Sequence, residues 1–390
     1  MAPRSSQLAV PVGLGLVLPI GFYVTFLLLA GFPFFQRHFF YAHRLNTLFW
    51  HDLDKPEYWG FARNQVTPFT LTSGDESLYA WHVLPLRSVL RHHDRFQPTT
   101  AGLLENATTT ESLKILREDP NSRLVISFHG NAGHIAQGLR TNHFHTLTDT
   151  STFHVLSIDY RGYGRSTGFP SEAGLIQDGV AAVDWAMNVA KVPSSRIVVM
   201  GHSLGTAVTS GVVEYFAARQ VEFAGVILVA GFSNVPTLLS SYKGAGFIPI
   251  LSPLRPVPPL LRLFQGFIVD KWDSARRLAN AVRLTQTKLH LTIIHAENDL
   301  EIPCHESDAL FKSAANATTG QALDSEAFEA WKKQKSIYYN DSTFTSIVMA
   351  EPDIIIRQEL LPYGGHNDII SSSPIALAVM RMFSDVDELV

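Results

Sequence analysis

The feature that most limits what this chain can become is a pentapeptide, Gly201-His202-Ser203-Leu204-Gly205, set between the apolar run Arg196-Ile-Val-Val-Met200 and the helix-like stretch 204–219. A G-x-S-x-G that follows a strand and opens a helix is a sharp turn. It lifts the serine Oγ clear of its neighbours, and its glycines leave room for crowded backbone. Ser203 then stands at a helix N-terminus, where orphan N–H groups favour developing negative charge. The pentapeptide alone is a weak sign, and its flanks are what give it weight.

A serine hydroxyl is a poor nucleophile without a base, and the base needs an acid to hold its tautomer. Where such an elbow occurs, the partners follow in the order Ser, then Asp or Glu, then His. Asp299 lies in His295-Ala-Glu-Asn-Asp-Leu-Glu-Ile-Pro303, just past the apolar strand 288–295, with Glu297 and Glu301 as competitors. His366 lies in Tyr363-Gly-Gly-His-Asn-Asp368 and is the only histidine after His305. An earlier loop, His129-Gly-Asn-Ala-Gly133, follows the strand-like 123–128. It is the expected source of one oxyanion-hole N–H, from Asn131, with the other from Leu204 next to the serine.

The surroundings suit that chemistry. Candidate strands at 78–84, 123–129, 153–159, 196–200, 225–230, 288–295 and 354–360 alternate with helix-like segments such as 171–191 and 204–219. Val- and Ile-rich strands separated by helices argue for a parallel α/β sheet. Two stretches break the rhythm: the Pro-rich, apolar 236–272 and a polar insertion at 313–345. The first is expected to form a cap over the site, with packing as ordinary core as its rival.

Other chemistries find little footing. With 31 basic against 35 acidic residues, a formal net charge of −4 and no basic stripe, nothing invites nucleic acid. A single cysteine, Cys304, excludes internal disulfides and a thiolate metal cage. The pairs His92–His93 and His143–His145 have no further ligand at a recognised spacing, so they read as surface or loop-side residues. Neither a metal nor a cofactor is expected.

The N-terminus carries a separate message. From Gln7 to Gln36 no residue is charged. A bilayer core is crossed by about 20 apolar residues, whereas a cleaved leader has an apolar stretch of only about 7–15. A retained transmembrane helix is the expectation, which divides the chain into an anchor (1–36), a juxtamembrane segment (37–68) and a catalytic domain (69–390). The sequons at Asn106, Asn316 and Asn340 favour a glycosylated domain in the lumen of the endoplasmic reticulum.

Taken in order, HGNAG (129–133), DYRGYGRSTG (159–168), GHSLGTAV (201–208), HAENDLEIP (295–303) and GGHND (364–368) resemble the monoacylglycerol and lysophosphatidylserine lipase branch of the α/β-hydrolase domain proteins. The likeness runs from about residue 70 to the end. It implies the α/β-hydrolase fold, a mostly parallel sheet flanked by helices with a cap and one N-terminal membrane helix. It also implies Ser203, Asp299 and His366 as a triad that cleaves esters of single-chain lipids. The insertion 313–345 and the Pro-rich 250–260 depart from that pattern and leave acyl-chain and head-group preference open. Rival readings are a protein depalmitoylase, a peptidase, or a non-catalytic membrane protein that has kept the fold. Depalmitoylating relatives are held by an N-terminal cysteine cluster, which is missing here, and a non-catalytic protein should have lost a triad member.

Overall fold

The computed structural model describes residues 9–47, 50–96, 102–105, 107–244, 248–319, 324–338 and 344–384. Its strands are β1 Val66–Ser73, β2 Glu76–Val83, β3 Arg123–Phe128, β4 Phe153–Ile158, β5 Ile197–His202, β6 Gly225–Val229, the short β7 Lys243–Gly244 and β8 Ile248–Pro249, then β9 Leu289–Ala296, β10 Ser336–Tyr338, β11 Phe344–Ala350 and β12 Ile354–Leu361. Ten of them form one sheet in the order β1-β2-β4-β3-β5-β6-β9-β12-β11-β10, and β7 pairs with β8 apart from it. The six central strands, β4 to β12 in that order, run parallel. Antiparallel pairs close both flanks.

Every residue of β4, β5 and β6 is buried, as a parallel sheet covered on both faces requires. The helices are α1 Ala9–Ala30, α2 Pro33–Tyr41, α3 Leu86–Arg91, α4 Glu111–Glu118, α5 Arg140–Thr148, α6 Glu172–Asp184, α7 Leu204–Ala217, α8 Val235–Leu238, α9 Pro258–Gly266, α10 Ser274–Leu284, α11 His305–Thr319, α12 Ser325–Lys335 and α13 Ser373–Phe383. The two-residue period of the strands sorts side chains to opposite faces. Leu124, Ile126, Ile197 and Val199 meet α6 and α7, while Val125, Val155 and Val198 meet α5 and α13. Beyond β6, α10 and α11 pack on Leu228, Leu291 and Ile356.

All seven expected strands appear within two residues of their limits. The described residues of the polar insertion contribute the last turns of α11, then α12, β10 and the opening of β11. It extends the sheet by an antiparallel hairpin.

The expected single membrane helix is replaced by a bent pair. No single helix among the described residues is long and apolar enough to cross a bilayer; 18–30 and α2 meet that test only together, with a bend of 109° between them. The cause is local. Pro33 has no N–H for the carbonyl of Leu29, and it forces Phe32 to an extended conformation (φ −101°, ψ 131°). After the bend the chain turns back onto the body, and Tyr41 at the end of α2 is fully buried in the main core.

The segment 236–272 lies above the C-terminal ends of the strands. Leu251 and Leu254 are buried against Leu27 of α1, with Phe26, Leu261 and Phe264 around them. Tyr23 donates to the carbonyl of Ile250 at 2.9 Å. Gln36 donates to the carbonyl of Phe267 at 2.7 Å and accepts from the N–H of Val269 at 3.0 Å. The cap and the N-terminal pair therefore form one roof.

Candidate active site

Ser203 sits between β5 and α7 with φ 53° and ψ −120°, a region that a non-glycine residue occupies at a cost on the order of 1–3 kcal/mol. Its surroundings over-determine it. Its N–H reaches the carbonyl of Val229 at 3.0 Å, and its own carbonyl accepts from the N–H of Thr206 at 2.9 Å and the Thr206 hydroxyl at 2.6 Å. The flanking glycines are demanded by close approach. A Cβ at Gly201 would stand 2.2 Å from the Gly205 carbonyl oxygen, and one at Gly205 would stand 2.1 Å from that of Phe128.

Three loops at the strand ends bring the other groups to this serine. His366 Nε2 lies 2.9 Å from Ser203 Oγ, and His366 Nδ1 lies 2.8 Å from Asp299 Oδ2. Asp299 Oδ1 accepts the N–H groups of Glu301 and Ile302, both at 2.9 Å. Burial works against the charge of Asp299, but hydrogen bonds from His295 and His366 outweigh it and hold the carboxyl well below its ordinary range. Of the three acidic candidates only Asp299 meets the imidazole; Glu297 is exposed, and Glu301 pairs with Asn367 at 3.3 Å.

Two further histidines serve this arrangement, and sequence reasoning had not singled them out. His295, fully buried, lies 3.2 Å from Asp299 Oδ2 and 2.9 Å from the carbonyl of Ile302, so its Nε2–H steadies the acid. His202 Nε2 lies 2.7 Å from the backbone carbonyl of His366. Burial and the neighbouring His366 push the His202 imidazole down to about 3, so it is neutral and pins that loop as a donor. His202 directly precedes Ser203 and His295 stands four residues before Asp299, and that proximity is the only signal the sequence offers.

On the oxyanion side, Leu204 is the first residue of α7, so its N–H has no intrahelical acceptor. The 130–134 loop is clamped by a buried guanidinium that the sequence did not announce. Arg140 donates to the carbonyls of His134 (2.5 Å), Gly130 (2.9 Å), Asn131 (2.6 Å) and Ala132 (3.0 Å). Burial lowers its pKa to about 10, which leaves it charged at neutral pH. The Asn131 side chain also ties the loop outward: its Oδ1 accepts from the Tyr163 hydroxyl at 3.0 Å, and its amide donates to the carbonyl of Phe40 on α2. The residues around 159–164 are thereby structural partners of the 130–134 loop.

Above Ser203 opens a cavity of about 290 Å³. Ser203, Leu204 and Asn131 form its floor, while its walls come from α1, α2 and the cap, including Phe26, Leu27 and Phe264. Hydroxyl, imidazole and carboxylate in hydrogen-bonded series beneath an apolar chamber can deliver a serine alkoxide to an ester that carries a hydrocarbon chain.

Several other expectations are adjusted. His143 is buried on α5, not at the surface; packing of its ring beside Phe144 gives it that place. His145 is half-buried, 2.8 Å from Asp149 and stacked on Phe61. Asn316 lies within α11 and is half-buried, while Asn106 and Asn340 lie outside the described residues.

The architecture is that of an α/β-hydrolase. Residues 124–305 match the model of the alpha/beta hydrolase family. It is 27% identical over 311 residues to lysophosphatidylserine lipase ABHD12 of Xenopus tropicalis, spanning 78% of this chain and 70% of that one. Against the protein of the same name in Mus musculus it is 26% identical, over 83% and 72% of the two chains. Against protein ABHD12B of Homo sapiens it is 30% identical over half of each. The crystal structure of an alpha-beta hydrolase from Vibrio vulnificus matches with a TM-score of 0.50 at 13% identity, over 86% of this chain and 87% of that one. At that identity the match speaks for the fold alone.

Proposed function

We propose that this protein is a membrane-associated serine hydrolase that cleaves carboxylic esters of single-chain lipids, lysophospholipids and monoacylglycerols, through an acyl-enzyme. The observation that carries the reading is the hydrogen-bonded series Asp299–His366–Ser203 at the floor of an apolar cavity. The names of the ABHD12 relatives point to the same substrate class.

In this mechanism His366 Nε2 takes the proton of Ser203 Oγ as the oxygen attacks the ester carbonyl. Asp299 keeps the Nδ1–H tautomer and stabilises the imidazolium. The N–H groups of Leu204 and Asn131 receive the oxyanion, where removing one such donor typically costs about 3–4 kcal/mol. His366 then protonates the leaving glycerol oxygen, and a water deprotonated by the same imidazole releases the fatty acid.

Membrane association is supported by the charge-free stretch 7–36 and by large apolar residues left exposed on both parts of the roof. These include Ile20, Phe22 and Leu28 on α1 and Leu263 and Phe267 in the cap. On this reading 1–36 is the anchor, 37–68 the connection and 69–390 the catalytic domain, held in the endoplasmic reticulum with its site in the lumen. Endoglycosidase treatment should raise gel mobility, and digestion of the domain by protease outside intact microsomes would place it in the cytosol instead.

The catalytic reading is tested with a fluorophosphonate probe and an oleoyl lysolipid panel on the full chain in detergent. Wild-type protein should label and hydrolyse; Ser203→Ala should do neither. Labelling that survives the substitution would assign the chemistry to another serine.

A further inference from the structure

The wall of the cavity holds two opposite charges that the ester chemistry does not use. Arg37 on α2 is half-buried, and its guanidinium lies 5.8 Å from the centre of the Phe169 ring. Among the described residues no carboxylate pairs with it. Asp270 at the end of the cap is also half-buried; its Oδ2 accepts from the Tyr41 hydroxyl at 2.7 Å, and among the described residues no cation pairs with it. Both line the same cavity as Ser203.

Their mutual placement follows from contacts already described. Tyr41 stands four residues after Arg37 on α2, hence one turn along the same face. The Tyr41 hydroxyl touches Asp270 directly. Gln36, beside Arg37, is bonded to the backbone of Phe267 and Val269, beside Asp270. A cation and an anion thus share one rim of the chamber without forming an ion pair with each other. Holding two half-buried charges unpaired is costly, and a ligand carrying both signs would satisfy them together.

We propose that Arg37 and Asp270 are a head-group subsite, Arg37 taking the phosphate and Asp270 Oδ1 the primary ammonium of an amino-bearing lysophospholipid. The acyl chain then lies along the apolar wall of α1 and the cap. This rests on the lipid-ester reading above and assigns its head-group selectivity to the N-terminal pair, which lies outside the segment matched by the family model, and to the cap, which lies within it. The full chain and its variants would be assayed in detergent on three oleoyl substrates: lysophosphatidylethanolamine (phosphate and ammonium), lysophosphatidylglycerol (phosphate alone) and monooleoylglycerol (neither).

Arg37→Ala should lower kcat/KM about tenfold on both phospholipids and spare monooleoylglycerol, with Arg37→Lys recovering part of the loss; about tenfold corresponds to one charge-assisted contact at a half-exposed site. Asp270→Asn keeps an acceptor for Tyr41 and removes the charge. It should lower kcat/KM about tenfold on the ethanolamine lipid only and leave the glycerol lipid equal or improved. Equal losses on all three substrates would show that the two residues hold the roof together and would overturn the subsite, as would no loss on any. If wild-type protein cleaves only monooleoylglycerol, the subsite falls while the serine-hydrolase reading stands. If no substrate is cleaved in a Ser203-dependent way, both fall.

Discussion

The floor and the roof of the cavity are built on different physical terms. Beneath Ser203, polar groups are joined in series: Asp299 takes donors from His295, His366, Glu301 and Ile302, and Arg140 spans four carbonyls of the 130–134 loop. Satisfied networks of this kind in a low dielectric rigidify a site, and loss of one member leaves its partners uncompensated. Among the described residues, the cluster that joins the two parts of the roof has three buried side chains, Leu27, Leu251 and Leu254, and α9 has none, while Tyr41 and Trp272 anchor the roof's ends in the main core. Few buried contacts mean low local stability, which is where moving elements are found. On the proposed reading, the contrast puts chemistry on the rigid half and substrate admission on the loose one.

The comparison is broken most severely at the floor. Asp299→Asn should lower kcat by about 10³–10⁴-fold, because triad members act as a unit and an amide favours the wrong imidazole tautomer. Because Asp299 is held charged by its donors, its folded pKa is depressed. Its contribution to stability is therefore present above pH ~4 and is lost as pH falls below that. The acid-side decline of the unfolding midpoint should be shallower in Asp299→Asn, measured by thermal unfolding between pH 3 and 7. A variant with near-wild-type kcat would pass the acid role to Glu301.

A second blow to the floor is smaller. Arg140→Ala should lower kcat by about 100-fold, the usual cost of an ill-placed oxyanion donor, with KM nearly unchanged and Arg140→Lys restoring part of it. A matching fall in Tm with unchanged kcat in the surviving folded fraction would make Arg140 only a structural brace.

The roof sharpens the contrast from the other side. Changing Leu260, Leu261 and Phe264 together to Ser should reduce kcat/KM on a long-chain lysolipid about tenfold and spare p-nitrophenyl acetate, since remote binding energy serves only substrates long enough to use it. Equal loss on both, with a lower unfolding midpoint, would mean that the roof is part of the core after all.

Legibility in the sequence follows the same division. The strands of the parallel sheet were readable because each is a short Val- and Ile-rich run buried on both faces, and the elbow because Gly201 and Gly205 face backbone oxygens that no side chain could approach. The hairpin β10–β11 was not readable, because β10 is only three residues long and exposes Ile337 and Tyr338 at the sheet edge, which leaves no alternation to read there. His143 looked like a surface residue because a lone histidine carries no mark of its burial.

By itself the sequence determined which candidate residues stand where and in what order they arrive: a serine between strand and helix, then Asp299, then His366. Those are local facts, set by backbone geometry within a few residues. Only the tertiary structure decided that the uncharged N-terminus bends at Pro33, buries Tyr41 and walls the chamber over Ser203, and that Arg37 and Asp270 share its rim. Those contacts join residues more than two hundred positions apart, such as Tyr41 and Asp270, and a pairing at that distance leaves no period or spacing in the chain to read.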